Sequence, residues 1–146
     1  MTDEIEKTRR EVHRDLFDAL DRSGYLRYGN IIPADIVRSI IGLEYPELGT
    51  KREFDSLSLR ELAAIDYVRD NLLKRGMYLS QVVTGYRILT PEENAHQVQR
   101  YISTADRKLC RALKLSRNTP PIAGSVQADQ TESRIAMKRM GLKRAA

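Results

Sequence analysis

The sequence predicts a mostly helical chain with one small β-hairpin, that is, an α+β fold. Three observations predict it. Residues 58–75 place apolar side chains at helical spacing, and the pattern stops at Gly76. Two short segments of β character, 78–81 and 86–89, follow without a linker and indicate a hairpin. Residues 90–93 then have the composition of a helix start.

Length and charge limit the classes of protein to which the chain can belong. Its 146 residues suit one domain with a tail, and its formal charge is +5. Residues 1–56 carry 9 basic and 12 acidic residues, whereas residues 57–146 carry 16 basic and 8 acidic ones. The second part therefore has a formal charge of +8, which favours an anionic partner. A protein with an ordinary basic tail is the alternative.

Cysteine usage and hydropathy indicate the compartment. Cys110 has no second cysteine to pair with, which suits a reducing environment. No apolar run approaches the roughly 20 residues of a membrane span. The acidic N-terminus lacks the apolar region of a secretion signal. We therefore expect a cytoplasmic protein without a membrane segment.

The first helix is expected to begin at a cap provided by Thr2 or Asp3 and to end at Ser23 and Gly24. Its apolar stripe consists of Ile5, Val12, Leu16, Ala19 and Leu20, widened by Phe17. Residues 25–28 are a short β candidate.

A second helix is expected from Pro33, which suits a first helical turn, to about Ile41. Gly42 ends it. Residues 43–57 are expected to be irregular and solvated, because they combine chain-breaking residues with many charged ones.

The third helix is expected to begin after Ser56 or Ser58, and Ser58 with Glu61 fits a capping box. Its buried stripe is predicted to be Leu62, Ile65, Val68 and Leu72. Another face gathers Arg60, Tyr67, Asn71 and Lys74, with Arg69 and Arg75 beside it. Such a face is typical of a helix that reads DNA, because cations contact phosphates while Asn and Arg contact base edges. A solvated helix face with no ligand is the alternative.

The hairpin is expected to turn at Thr84 and Gly85, where glycine supplies an unusual backbone conformation. Tyr86 and Ile88 are predicted to face inward, and Arg87 outward. Because the tip carries no charge, its contact with phosphate would be weak.

A closing helix over residues 91–115 is the clearest local prediction. Thr90 caps it, Pro91 takes its first position, and Glu93 completes a capping box. Its apolar stripe repeats at spacings of three and four: Ala95, Val98, Ile102, Ala105, Leu109 and Ala112. The stripe either covers the first helix or pairs with a second copy of the chain in a homodimer. Cys110 lies beside it as a packing residue.

Residues 116–146 are expected to be a linker, containing Pro120 and Pro121, and a basic tail. Residues 131–146 have the composition of a short basic helix, which includes Arg139 and Lys143. This segment is either an arm that contacts phosphates or a partner, or a disordered solubilising tail.

No pattern indicates catalysis. His13 and His96 lack neighbouring metal ligands, and no phosphate-binding glycine loop is present. Glu92 and Glu93 are explained by capping. We therefore expect no enzymatic activity, no cofactor and no metal.

The order helix, short strand, helix, helix, hairpin over residues 4–89 resembles the winged-helix family, a variant of the helix-turn-helix. The chain is also similar to small helix-turn-helix proteins of bacteriophages and prophages, through Gly85-Tyr-Arg-Ile88 and Thr90-Pro-Glu-Glu93. The resemblance implies a winged-helix-like domain over 1–115, with the added amphipathic helix, and a tail over 116–146. It also implies a recognition helix at 58–75 and a wing at 77–89. The segment 43–57 departs from the family, which joins these helices by a tight turn.

Two functions follow as hypotheses. The first is a sequence-specific regulator of transcription or replication that binds double-stranded DNA, encoded by a phage and acting in the host cytoplasm. The residues expected to contact DNA are Arg60, Tyr67, Asn71, Lys74, Arg75, Arg87, Arg139 and Lys143. The alternative is a protein-interaction module that binds and modulates a host enzyme, such as a polymerase or nuclease, without binding DNA.

Overall fold

A computed structural model of the chain describes residues 8–120 and 127–145. These residues form five helices and a three-stranded antiparallel sheet, which confirms the predicted α+β fold. The elements are α1 (Arg9–Arg22), β1 (Ile31–Pro33), α2 (Ala34–Ile41), α3 (Lys51–Lys74), β2 (Leu79–Val82), β3 (Gly85–Ile88), α4 (Pro91–Asn118) and α5 (Gln127–Ala145). They form two compact units, Met1–Asn94 and Ala95–Ala146. The sequence had favoured a division after residue 115.

Helix α1 begins at Arg9, where Thr8 and Glu11 form a capping box. The predicted cap at Thr2 or Asp3 lies outside the described residues. The helix buries Leu16 and Leu20, as its apolar stripe predicted.

The first strand lies later in the chain than expected. Residues 25–28 form no strand, and β1 instead spans Ile31–Pro33. Pro33 at its end then caps α2, which stops at Gly42 with a left-handed φ of 69°. The second helix therefore lies where the sequence placed it.

Helix α3 begins at Lys51, before both predicted starts. Thr50 and Glu53 form its capping box, so residues 51–57 of the segment expected to be irregular belong to the helix. The prediction that Ser58 and Glu61 cap this helix is wrong, because Glu61 lies inside it and is buried. Leu62, predicted to be buried, is 49% exposed.

The sheet has the strand order β1-β3-β2, with both pairs antiparallel. The hairpin turns at Val83 and Thr84, one residue before the predicted position. Gly85 pairs with Pro33 in β1 and has a φ of 153°. A Cβ atom there would lie 2.3 Å from the carbonyl oxygen of Ile32, so the two strands meet at a position that only glycine can occupy.

The core of the first unit lies between the helices α1, α2 and α3 and one face of the sheet. Tyr86 and Ile88 point into it, as predicted, and Arg87 does not. The buried cluster contains Leu16, Leu20, Leu26, Ile32, Val37, Ala64, Ile65, Val68, Leu72, Leu79, Tyr86 and Ile88.

The second unit is a pair of helices with little buried surface. Arg117 near the end of α4 pairs with Glu132 near the start of α5 at 3.5 Å, and Asp106 pairs with Arg139 at 2.9 Å. These two pairs set the helices antiparallel. No residue of α4 is buried, and Ile135 is the only buried side chain among residues 95–120 and 131–145.

Candidate nucleic-acid interface

The predicted DNA-reading face of α3 lies beside α1. Tyr67 packs its ring against His13 of α1, with the ring centroids 5.9 Å apart. The Asn71 side-chain amide donates to the carbonyl oxygen of Tyr67 at 2.8 Å, within the same helix. Tyr67 and Asn71, two of the side chains expected to contact DNA, are therefore half-buried and already engaged inside the first unit.

The two cations of that face are exposed but far apart. Arg60 and Lys74 are separated by fourteen positions, which is about 21 Å along a helix. Arg60 lines a groove of about 640 Å³ together with Arg9 and His13. Burial, and then the charge of Arg9, lower the pKa of His13, so its imidazole is neutral at pH 7.

Two further predicted contacts are paired with carboxylates. Arg75 bonds Asp21 at 3.2 Å and stacks over the ring of Phe17. Arg87 bonds Glu93 at 2.9 Å, and this bond, together with the backbone amide of Thr90, holds the pKa of Glu93 below its usual range. Arg75 and Arg87 can therefore bind a phosphate only if these ion pairs break.

The face of α3 that points away from the core carries leucine and aspartate. Its members recur at spacings of three and four and are all exposed: Asp55, Leu59, Leu62, Asp66, Asp70 and Leu73. We call this set the Leu/Asp face. A recognition helix addresses DNA with its outward side. Three aspartates on that side would oppose phosphate, and only Asp66 has a neutralising partner among the described residues, Arg69.

Glu61 holds α3 in this orientation from its buried side. Tyr86 donates to Glu61 Oε1 at 2.8 Å, while Arg38 and Tyr45 donate to Oε2 at 2.9 and 2.8 Å. Burial alone would raise the pKa of Glu61, but these three donors outweigh it and hold the pKa below its usual range. The carboxylate therefore stays charged, and it fixes the rotation of α3 about its axis.

Positive charge is concentrated in the second unit. Residues 1–94 carry 14 basic and 17 acidic residues, a formal charge of −3. Residues 95–146 carry 11 basic and 3 acidic residues, a formal charge of +8. An anionic polymer is therefore attracted to the helices α4 and α5, and not to the unit that contains α3.

Helix α4 arranges four of these cations in a row. Arg100, Arg107, Arg111 and Lys114 follow at spacings of seven, four and three, which places them on one helical face, and all are exposed. We call this set the cation row. It runs about 21 Å along the helix. No ion pair joins any of the four to another residue in the parts of the chain that the structure describes.

The cation row has no acidic neighbour on its own face between Arg100 and Lys114. Glu93, seven positions before Arg100, lies on the same side of α4 and is paired with Arg87. Asp106 is the only acidic residue of α4 beyond its first turn, and it lies on another side of the helix, paired with Arg139. The apolar stripe occupies the opposite side, where Ala105 and Leu109 line an apolar gap against α5.

Of the two predicted cations in the tail, one is engaged and one is exposed. Arg139 donates to Asp106, which raises its pKa and fixes α5 against α4. Lys143 is exposed near the end of α5. The predicted short basic helix is thus present as α5, while most of the predicted linker lies outside the described residues.

The cation row was not among the sites predicted from the sequence, although its signal is present there. The apolar stripe of α4 was recognised from its spacing, but the same periodicity applied to the opposite face aligns the four cations.

Other kinds of site find no geometric support in the described ranges 8–120 and 127–145. There, no cluster of three or more His, Cys, Asp and Glu could hold a metal ion. None of the helices described is both long and apolar enough to cross a bilayer. The absence of enzymatic activity stays a prediction.

Comparison with protein families, with curated proteins and with solved structures finds no match to this chain.

Proposed function

We propose that this protein binds double-stranded DNA through the cation row of α4. The observation that carries the proposal is the alignment of four exposed cations on one face of α4, with no acidic residue between them on that face and no ion pair to the described residues. Each phosphate neutralised by such a cation releases counterions, which is the main source of affinity for DNA in proteins of this kind. The first unit, with its strand and helix order, would then be the module that the family resemblance associates with transcription or replication control.

The proposal moves the main DNA contact from α3 to α4. Tyr67, Asn71, Arg75 and Arg87 all have partners within the first unit. The outward side of α3 carries three aspartates and Arg52. Arg60 and Lys74 are left as the only exposed, unpaired cations of the predicted α3 face among the described residues. Lys143 of α5 is exposed and is available as an additional phosphate contact.

Fluorescence anisotropy with a labelled random-sequence duplex tests this assignment. Three double variants each remove two exposed charges: Arg107→Ala/Arg111→Ala in the cation row, Arg60→Ala/Lys74→Ala on α3, and Arg10→Ala/Arg14→Ala on α1 as the matched control. We expect the first to lower affinity about tenfold or more and to reduce the slope of log K against log salt by about 2. The α3 variant should behave like the control.

Two outcomes would contradict the proposal. If the α3 variant loses the most affinity, the DNA contact lies on α3, as the sequence first suggested. If all three variants lose the same modest affinity, only the total charge matters and the cation row is not a site. A labelled single strand in the same titration separates duplex binding from a preference for single-stranded nucleic acid, since row contacts to duplex phosphates predict tighter binding to the duplex.

A further inference from the structure

The Leu/Asp face of α3 is an exposed apolar surface with a negative rim. Leu59, Leu62 and Leu73 are 65%, 49% and 52% exposed. They lie on one side of a helix, within a stretch of about 21 Å, with Asp55, Asp66 and Asp70 on the same side. A helical face of this composition, exposed on the first unit, has the character of an interaction surface.

Helix α5 presents a face of the opposite character. Met137 and Met140 are 73% and 56% exposed. Arg134 and Arg144 are also exposed, and the four recur at spacings of three, three and four on one side of the helix. We call this set the Met/Arg face. Its methionines are flexible apolar side chains that adapt to an uneven partner surface.

We propose that the Met/Arg face of one copy of the chain docks on the Leu/Asp face of a second copy. Charge complementarity selects this pairing. Two Leu/Asp faces brought together would oppose six aspartates, and two Met/Arg faces would oppose four arginines within units that each carry +8. The unlike pairing places arginine against aspartate and buries leucine against methionine.

This contact is heterologous, because it joins the Met/Arg face of one copy to the different Leu/Asp face of the next. Contacts of this kind lead to rings or to open chains of copies, not to a closed symmetric pair. The cation row lies on α4 and takes no part in the contact. The pairing can therefore be tested without nucleic acid, and copies joined in this way would bind a duplex cooperatively.

Charge-swap variants at exposed positions test the pairing by sedimentation velocity without nucleic acid. One variant makes the α3 face basic, Asp55→Arg/Asp70→Arg. A second makes the α5 face acidic, Arg134→Glu/Arg144→Glu. The interface is small, so we expect concentration-dependent association of the wild-type chain in the range of about 10 to 500 μM at low salt. Each variant alone should associate at least about tenfold more weakly.

The quadruple variant, which combines both pairs of substitutions, distinguishes this pairing from every other contact. It carries a basic α3 face and an acidic α5 face, so the charges are again complementary, and association should return to within about threefold of wild type. Mixing the two single-face variants should restore association as well. Thermal unfolding followed by circular dichroism checks that each variant folds.

Three results would overturn the proposal. The wild-type chain does not associate, neither single-face variant weakens the association, or the quadruple variant does not recover it. A symmetric dimer through the apolar stripe of α4 would give the second of these results, because neither pair of substitutions touches that stripe.

Discussion

The phenol of Tyr86 on β3 donates a 2.8 Å hydrogen bond to Glu61 Oε1 on α3, inside the apolar core of the first unit. The bond joins the sheet to the long helix and accounts for one oxygen of the only buried charged residue among the described positions. Arg38 and Tyr45 satisfy the other oxygen, so the carboxylate connects α2, the segment after it, α3 and β3.

Replacing Glu61 should destabilise the first unit strongly. In Glu61→Ala the donors on Tyr86, Tyr45 and Arg38 lose their acceptor, and we expect a loss of about 2–4 kcal/mol in the free energy of unfolding. Tyr86→Phe removes a single bond to the carboxylate and should cost about 1–2 kcal/mol. Urea unfolding measures both, and exposed Glu47→Ala is the control. A cost for Glu61→Ala within error of this control would show that the network contributes nothing.

Stability should fall in acid through Glu61. Its hydrogen bonds hold its pKa in the folded protein below the usual value, so the charged form stabilises the fold. This contribution is fully present above the unfolded carboxyl pKa of about 4.3 and is lost as the pH falls through the lower folded pKa. The unfolding free energies of wild type and Glu61→Gln, measured from pH 7 to pH 3, should therefore converge as the pH falls. Curves that stay parallel would contradict this assignment.

Gly85 should tolerate no side chain. The added Cβ of Gly85→Ala would lie 2.3 Å from the carbonyl oxygen of Ile32 and 2.6 Å from the amide nitrogen of Ala34, both backbone atoms. We expect a loss of about 3 kcal/mol or more. Gly42→Ala is the matched control: its φ is also positive, at 69°, but nothing lies within 4 Å of the added atom. Gly42→Ala should lower the free energy of unfolding by only about 1 kcal/mol. Equal losses for the two variants would show that the spacing between β1 and β3 adjusts to the added atom.

The two units should differ in local stability. Ile135 is the only buried side chain among residues 95–120 and 131–145, whereas the first unit buries a cluster that includes Val68 and Leu72. Amide hydrogens of α5 and of α4 beyond its first turn should exchange about 100-fold faster than those near Val68. Hydrogen exchange followed by mass spectrometry measures this. Added duplex DNA should slow exchange in α4, and uniform protection without DNA would contradict the expectation.

Element types were predictable from the sequence because capping and periodicity are local. Thr90, Pro91 and Glu93 begin α4 as expected, since their hydrogen bonds involve only neighbouring residues. The start of α3 was not predictable in this way. Two capping boxes of equal quality, Thr50 with Glu53 and Ser58 with Glu61, compete in the sequence. The second is unused because Glu61 is bonded to residues 16 to 25 positions away.

The buried face of α3 was predicted in part. Ile65, Val68 and Leu72 are buried as predicted. Leucine is expected inside and glutamate is not, so Leu62 was assigned to the core and Glu61 only to a capping box. Hydrogen-bond donors from α2, from the segment after it and from β3 make burial of the glutamate favourable. They lie far away in sequence, so no local pattern indicates them. The predicted DNA-reading face was rotated accordingly. The cation row, in contrast, depends only on spacing within one helix and was present in the sequence.

The separation of charge between the two units has a consequence for handling the protein. The net formal charge of +5 describes neither unit, because residues 1–94 carry −3 and residues 95–146 carry +8. A cation-exchange resin retains such a chain through residues 95–146, whose charge of +8 exceeds the net charge of the whole chain. Cellular polyanions such as nucleic acids will co-purify with the protein by binding residues 95–146. Preparations therefore need a high-salt wash, and the ratio of nucleic-acid to protein absorbance should be checked before binding is measured.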